Sequence, residues 1–192
     1  MLRTTGGPSP KLWVAGRARR YSPALGDGVI GIIIDRHGEG WGVDVGAPFP
    51  LALPALSFEG ATRRNRPDLR AGDLVFGRVS STGRPGEEGG LVCTDAAGRA
   101  AGYGPLRGGT LVRTTTAHAR RLLGGEDALL AALGAAGLAF EAAVGLNGRV
   151  WVGGGDAAAV AAAASALGRG EFVTDKAGAE AVVGGVLAAG GM

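Results

Sequence analysis

The sequence predicts a mixed fold in which an all-β barrel is followed by an α+β domain. Between Pro23 and Asp95 the apolar residues form short runs of strand length, separated by turn residues and without a helical period. After Thr110, helical patterns alternate with strand-like runs. A Gly-rich stretch, residues 96–109, lies between the two halves. We therefore expect three parts: a short N-terminal β segment over residues 1–22, a barrel domain over 23–97 and an α+β domain over 98–192.

Five strands account for the predicted barrel. Five short strands within about 70 residues, divided by Gly- and Pro-containing turns, are typical of an OB-type barrel. One loop between them is rich in arginine, and it lies between the third and fourth strands. The predicted strands are Gly28–Asp35, Gly40–Val45, Leu51–Phe58, Asp73–Ser80 and Gly90–Cys93.

The second half reads as three strands and four helices. A Thr-rich cap precedes the first helix and two glycines follow it, which are start and stop signals for a helix. An Ala-rich helix follows later, and Ala is the best helix former. Before the barrel, Leu12–Val14 could form a single strand. The predicted strands are Thr110–Thr115, Phe140–Val144 and Arg149–Val152, and the helices are Thr116–Leu123, Glu126–Leu133, Asp156–Leu167 and Lys176–Ala189.

Composition limits the kinds of partner that the chain could bind. Of 192 residues, 46% are apolar, which is enough for a core, and the net charge is only +3. The chain is therefore no histone-like polycation, and any positive surface has to be local. Lys occurs only at Lys11 and Lys176, so Arg carries nearly all of the positive charge. Arg suits phosphate well, because its planar guanidinium can donate two parallel hydrogen bonds.

Cysteine use and hydropathy predict the environment of the chain. Cys93 is the only cysteine, so no intramolecular disulfide can form, and a reducing intracellular compartment fits. Its apolar neighbours predict a small core residue. The N-terminus lacks the apolar run of a secretory signal, and the Ala-rich stretches over 157–167 and 181–189 are too short to span a bilayer. We expect a soluble protein with no membrane association.

The sequence argues against an enzyme. It contains no P-loop motif, no G-x-S-x-G elbow and no cluster of carboxylates. A zinc site needs about four ligands, whereas Cys93, His37 and His118 are scattered. His118 falls within a predicted helix, and we expect a structural histidine at the surface or half-buried. The prediction is therefore no catalytic residue, no metal and no cofactor.

A basic loop is the strongest candidate for binding. The arginine loop, Ala61–Arg70, carries four arginines against the single acid Asp68, and Pro67 would stiffen it. Guanidinium groups on a loop between barrel strands could follow RNA phosphates without reading bases. An acidic patch on a protein partner is the alternative, and both could be true. The candidate RNA-binding arginines are Arg63, Arg64, Arg66 and Arg70.

An aromatic platform would complete a single-strand binding surface. OB-type barrels stack bases on aromatic side chains beside a basic groove. Most aromatic residues in the barrel half should be core, but Trp41 opens its strand directly after Gly38-Glu39-Gly40. We expect Trp41 near the rim of the barrel and include it as a candidate RNA contact.

A short turn in the second half has the letters of a nucleic-acid clamp. The glycine turn, Gly145-Leu146-Asn147-Gly148, matches the G-x-x-G loop with which KH domains grip a nucleotide backbone. Leu146 and Asn147 supply no positive charge, and the turn joins two strands, so no helix dipole is available. Asn-Gly between apolar runs is a hairpin signal. We therefore predict a structural role for all four residues.

These motifs together resemble the cap subunits of the RNA exosome that contain S1 and KH domains. The resemblance covers nearly the whole chain from about Leu12, and three segments carry it: Arg20–Gly31, Phe58–Leu74 and Gly145–Val152. It implies a non-catalytic protein made of an N-terminal β domain, an S1 domain and a KH domain. The family's N-terminal domain is longer, and only its last strand corresponds to Leu12–Val14. We therefore expect residues 1–22 to be a truncated N-terminal β segment.

The resemblance also implies a function and a set of partners. Three caps would sit on a six-membered ring of RNase PH-like subunits, in a hetero-oligomer that processes and degrades RNA from its 3′ end. Arg63, Arg64 and Arg66 would face the path along which RNA enters. The implied locations are the nucleus, the nucleolus and the cytoplasm. The alternative is a free-standing S1/KH protein that binds RNA and regulates translation or RNA stability.

Overall fold

A computed structural model of the chain describes residues 2–4, 12–14, 20–83, 87–125 and 127–190. Two short strands come first, β1 (Leu2–Thr4) and β2 (Leu12–Val14), and they pair antiparallel. The strand predicted at Leu12–Val14 is therefore confirmed. Its partner β1 was not predicted.

The barrel consists of five strands whose pairing closes on itself. Neighbours pair antiparallel except β5 and β7, which pair in parallel, and the pairing of β3 with β6 closes the sheet. The predicted OB-type barrel is confirmed. Its strands are β3 (Gly28–His37), β4 (Gly40–Asp44), β5 (Leu51–Pro54), β6 (Leu74–Ser81) and β7 (Gly89–Val92).

Strand β3 is long because it serves two partners in turn. Gly28–Ile32 pairs with β6, whereas β4 pairs with β3 only from Ile32 onward. A register shift between Ile33 and Asp35 bends the strand between the two, as a β-bulge does. On the β4 side, the edge of β3 before Ile32 is therefore left for another part of the chain to cover.

Apolar side chains from every strand fill the barrel. The packing is close enough to require glycine at position 31, because a Cβ there would lie 2.1 Å from Cγ1 of Val43. Cys93 is fully buried, as predicted, and burial raises the pKa of its thiol to about 12. The core includes Val29, Ile33, Val43, Leu53, Val75, Val79, Leu91 and Cys93.

The second half is a three-stranded antiparallel sheet covered by helices, in the order β10-β11-β9. Each of the first three helices begins at a side chain that accepts a backbone hydrogen bond: Thr115, Asp127 and Asp156. The strands are β9 (Thr110–Arg113), β10 (Glu141–Gly145) and β11 (Arg149–Gly153). The helices are α1 (Thr116–Leu123), α2 (Ala128–Ala135), α3 (Ala157–Arg169) and α4 (Lys176–Gly190).

The predicted elements of both halves are confirmed, with ends that differ by one or two residues in several of them and with two larger differences. Glu126, the predicted start of the second helix, lies outside the described residues. β5 ends at Pro54, because proline has no N–H for a further ladder bond, whereas the prediction ran on to Phe58. The Gly-rich stretch contains a strand, β8 (Gly104–Leu106), which pairs with β6 and extends the barrel sheet beyond residue 97. Within the described ranges, no helix has the length and apolar character needed to cross a membrane.

Candidate nucleic-acid interface

The arginine loop projects from the barrel between β5 and β6. Its tip is a tight turn in which the backbones of Thr62 and Asn65 bond each other, with N···O distances of 3.0 and 3.2 Å. Nε of Arg66 donates to the carbonyl of Arg63 at 3.1 Å. Arg63 and Arg64 are exposed and Arg66 is half-buried. Among the described residues, no carboxylate forms an ion pair with any of these three arginines.

Arg70 has a different place, at the base of the loop. Its backbone N–H donates to Oδ2 of Asp73 at 2.8 Å, and its guanidinium lies 3.6 Å from Oδ2 of Asp68. Both partners of this ion pair are about four-fifths exposed, so the pair contributes little stability. The loop therefore offers three unpaired guanidiniums near its tip and one weakly paired guanidinium at its base.

The base of the loop is fixed to the barrel. Leu69 is buried, and its carbonyl accepts a hydrogen bond of 3.1 Å from Nε1 of Trp41. Beyond it, the backbones of Gly72 and Asp73 bond Ile33 of β3, at 2.8 and 2.9 Å. Because the base is held at these points, the tip presents its arginines from a defined position on the barrel.

Trp41, which we expected near the rim as a candidate RNA contact, is buried. Its side chain belongs to the barrel core and is only 4% exposed, with its ring edge-on to that of Phe58 at a centroid distance of 6.2 Å. A ring packed in this way has no face free for a base to stack on. Trp41 therefore supports the arginine loop from beneath, through its bond to Leu69, instead of contacting RNA as an aromatic platform.

The glycine turn joins β10 to β11, as predicted, and its two glycines are needed for different reasons. Gly148 has φ +75°, a region that favours glycine, and a Cβ there would lie 2.4 Å from the carbonyl oxygen of Thr114. At Gly145 the conformation is ordinary, but a Cβ would lie 2.7 Å from the backbone nitrogen of Ile30. The turn therefore approaches the barrel strand β3 very closely.

Asn147 fastens the turn to the barrel. Its Oδ1 accepts from the N–H of Ile30 at 3.2 Å, and its Nδ2 donates to the carbonyls of Ile30 and Val45 at 2.8 and 2.9 Å. The N–H of Leu146 donates to the carbonyl of Gly28 at 2.8 Å. The turn thus covers the edge of β3 that β4 leaves open, and the Asn147 amide takes the place of a neighbouring strand.

Arg149, directly after the turn, adds a charged contact that the sequence analysis did not identify. Its side chain is 7% exposed and donates to Oδ2 and the carbonyl of Asp44 and to the carbonyl of Ile30. Burial opposes ionisation of Asp44, but the hydrogen bonds from Arg149 and Gly46 outweigh it and hold the Asp44 pKa below 3.8. The one signal for this contact in the sequence was an arginine directly after an uncharged turn.

These contacts decide what the glycine turn can do. In a KH clamp the loop backbone has to face a nucleotide, whereas this turn faces the barrel and is mostly buried. The N–H groups of Leu146 and Gly148 are both used within the protein, the second by the carbonyl of Gly145. The turn acts as an interdomain fastening.

His118 is structural but more buried than expected. It is 0% exposed, and Nδ1 lies 2.8 Å from Oγ1 of Thr114. Burial, and then the charge of Arg121, lower its pKa. Asp127 lies 3.8 Å from Nε2 but caps α2. In the described part of the chain, no group of three or more potential ligands could hold a metal ion.

Each half of the chain matches the model of a known protein family. Residues 21–104 match the family model described as the S1 domain of exosome complex component RRP40, and residues 109–158 match a KH domain model. Exosome complex component rrp40 of Schizosaccharomyces pombe is 43% identical over 83% of this chain and 67% of its own length. The component RRP40 of Mus musculus is 40% identical over 77% of this chain and 54% of its own length.

A solved structure supports the same fold. The crystal structure assigned to an exosome complex RNA-binding protein superposes with a TM-score of 0.67, covering 87% of this chain and 95% of that one. At 20% identity this likeness establishes the fold alone. The chain spans between about half and two thirds of the length of the curated relatives that it matches first.

Proposed function

Because the chain belongs to the exosome complex component RRP40 family, we propose that it is a non-catalytic, RNA-binding cap subunit of the RNA exosome. In this role it lines the path by which RNA enters and stabilises a ring of RNase PH-like subunits during 3′-to-5′ RNA processing and decay. Other cap subunits are further partners. We also propose that it acts in the nucleus, the nucleolus and the cytoplasm.

One observation carries the RNA-binding part of the proposal. The arginine loop holds Arg63, Arg64 and Arg66 without carboxylate partners among the described residues, on a base fixed to the barrel. Unpaired guanidiniums at a defined place are suited to phosphates, whose position repeats along a strand whatever the base. With Trp41 in the core, we expect binding to be mainly electrostatic and to depend little on RNA sequence.

The first test measures RNA affinity against salt concentration. We expect the triple variant Arg63→Gln, Arg64→Gln, Arg66→Gln to bind single-stranded RNA more weakly, and its log–log salt slope to fall by about 2. The matched control replaces three exposed arginines away from the loop, Arg20, Arg120 and Arg169, by Gln, and so removes the same net charge. Equal losses of RNA affinity in the two variants would mean that the arginine loop does not contact the RNA.

The second test concerns assembly. We expect the tagged chain, isolated from its source cell, to bring RNase PH-like subunits with it in near-equal amounts. Incubation of the pure chain with labelled RNA and a divalent cation, or with phosphate, should give no cleavage. A monomeric chain with tight RNA affinity would instead favour a free-standing RNA-binding regulator, and cleavage that survives stringent purification would contradict the non-catalytic role.

A further inference from the structure

Two arginines face each other on neighbouring strands beside the domain interface. Arg113 of β9 and Arg149 of β11 are register partners in an antiparallel pair, so their side chains leave the same face of the sheet. Like charges directly opposite each other destabilise such a pair. The arrangement therefore needs negative charge close by to offset it.

The barrel supplies only part of that negative charge. Asp44 accepts hydrogen bonds from Arg149, and the charge of Arg113 acts on Asp44 without a hydrogen bond between them. Arg113 is exposed, and none of the ion pairs formed by the described residues includes it. One carboxylate for two guanidiniums leaves a surplus positive charge at this point of the interface.

A cleft of about 260 Å³ opens at the same place, between the barrel and the second domain. Its floor is preorganised, because Asn147 and Arg149 are buried and bonded to the barrel. Gly46 places no side chain beside Arg149, since a Cβ there would lie 3.7 Å from Nη2 of Arg149. The cleft is lined by Gly46, Arg113, Thr114, Asn147, Gly148 and Arg149.

We propose that this interdomain cleft binds a phosphate group through Arg113, with Arg149 as a fixed second cation. The Arg113 guanidinium can donate two parallel hydrogen bonds to a phosphate. Arg149 contributes through its charge, because its Nη1 and Nη2 already donate to Ile30 and Asp44. Inorganic phosphate carries more negative charge than acetate near neutral pH and therefore gains more from a second cation. The phosphate comes either from an RNA backbone or from free inorganic phosphate. The site differs from a KH clamp, because side chains hold the anion while the turn's N–H groups of Leu146 and Gly148 stay bonded within the protein.

The anion itself is tested without RNA. Inorganic phosphate is titrated into the labelled full chain at constant ionic strength, with amide NMR shifts as the readout. We expect saturating shifts at Gly46, Arg113 and Gly148 that are lost in Arg113→Gln and kept in Arg169→Gln, an exposed arginine at the end of α3. Acetate should give no saturating shift. Absence of saturation, equal shifts with acetate, or an unchanged Arg113→Gln titration would overturn the proposal.

Measurements of RNA affinity then distinguish the two sources of phosphate. Only this second experiment rests on the proposed function. If the cleft takes an RNA phosphate, Arg113→Gln lowers the salt slope for single-stranded RNA by about 0.7, and more than Arg169→Gln does. If the cleft binds free phosphate instead, the wild-type chain is still saturated by inorganic phosphate, and the salt slope of Arg113→Gln for RNA equals that of Arg169→Gln. A positive phosphate titration combined with an ineffective arginine-loop variant would refute the proposed RNA path and leave this site standing.

Discussion

The arginine loop and the glycine turn both contain residues that nucleic-acid-binding proteins use, and the fold places them in opposite ways. Arg63 and Arg64 stand in solvent, without carboxylate partners among the described residues. Asn147 and Arg149 are each 6% exposed and spend their hydrogen bonds on the barrel. The loop therefore has guanidinium groups that can still bind a ligand, whereas the polar groups of the turn and of Arg149 are bonded to the barrel and join the two domains.

The difference comes from what each segment meets in the barrel. The turn meets an open strand edge, where Ile30 and Gly28 have backbone groups that need partners. The loop is fixed at its base, where Leu69 accepts a bond from Trp41 and the following Gly72 and Asp73 bond Ile33, and its tip residues 62–65 are exposed. The sequence of a motif therefore indicates what a segment could bind. What it binds in the folded protein depends on the polar groups that the neighbouring elements leave without partners.

The largest expected effect comes from removing the amide that fills the open edge. Asn147→Ala leaves the N–H of Ile30 and the carbonyl of Val45 buried without their partner, whereas the Ile30 carbonyl keeps its hydrogen bond from Arg149. We expect the free energy of unfolding to fall by about 4 kcal/mol, since two buried groups are left unsatisfied and each costs about 2 kcal/mol. Urea denaturation measures the change.

The matched control lies in the other region. Asn65→Ala removes an exposed asparagine side chain from the tip of the arginine loop, and should change stability by less than about 0.5 kcal/mol. If Asn147→Ala costs no more than Asn65→Ala, the turn is not an interdomain fastening and the comparison fails.

Two glycines with similar backbone angles have very different surroundings. Gly148 and Gly60 have similar φ values, +75° and +67°, but a Cβ would meet the Thr114 carbonyl at Gly148 and nothing within 4 Å at Gly60. Both alanine variants carry the cost of a left-handed backbone, about 1–2 kcal/mol. We expect Gly148→Ala to destabilise by about 2 kcal/mol more than Gly60→Ala, because steric overlap is added. Equal losses in thermal or urea unfolding would argue against close packing at the turn.

The two aspartate–arginine pairs should differ in their contribution to stability, but by less than the two glycines. Asp44 meets a buried arginine, whereas Asp68 and Arg70 are both highly exposed. We expect Asp44→Asn to cost about 1 kcal/mol at neutral pH, because the Arg149 guanidinium loses its charged acceptor, and Asp68→Asn to cost a few tenths at most. Chemical denaturation of both variants at one salt concentration makes the comparison.

Acid titration gives the Asp44 pair a second readout. The folded-state pKa of Asp44 lies below its usual 3.8, so its contribution to stability is present above about pH 4 and is lost as the pH falls through the folded value. Between about pH 5 and pH 3, wild type should therefore lose more stability than Asp44→Asn. Parallel pH profiles would mean that Arg149 does not hold the ionised carboxylate.

The sequence predicted the elements of the fold well and their mutual contacts poorly. Alternation in β6 and the Asp156 cap of α3 are local signals, and both were readable from a few residues. The burial of Trp41 and the partner of Asn147 depend on residues 28 and 117 positions away, respectively. Strand β8 was missed because Gly104 and Pro105 indicate a turn, and only its pairing with β6 makes it a strand.

The smallest effect on stability is expected where the largest effect on RNA binding is proposed. Replacing Arg63, Arg64 and Arg66 together by Gln removes guanidiniums that have no carboxylate partner in the described chain, so no ion pair is lost. Mutual repulsion falls at the same time, and we expect the free energy of unfolding, measured by urea denaturation, to stay within about 0.5 kcal/mol of wild type at low and high salt. A large loss of stability would mean that these arginines are engaged in holding the fold. They would then resemble Arg149, and the contrast between the loop and the turn would disappear.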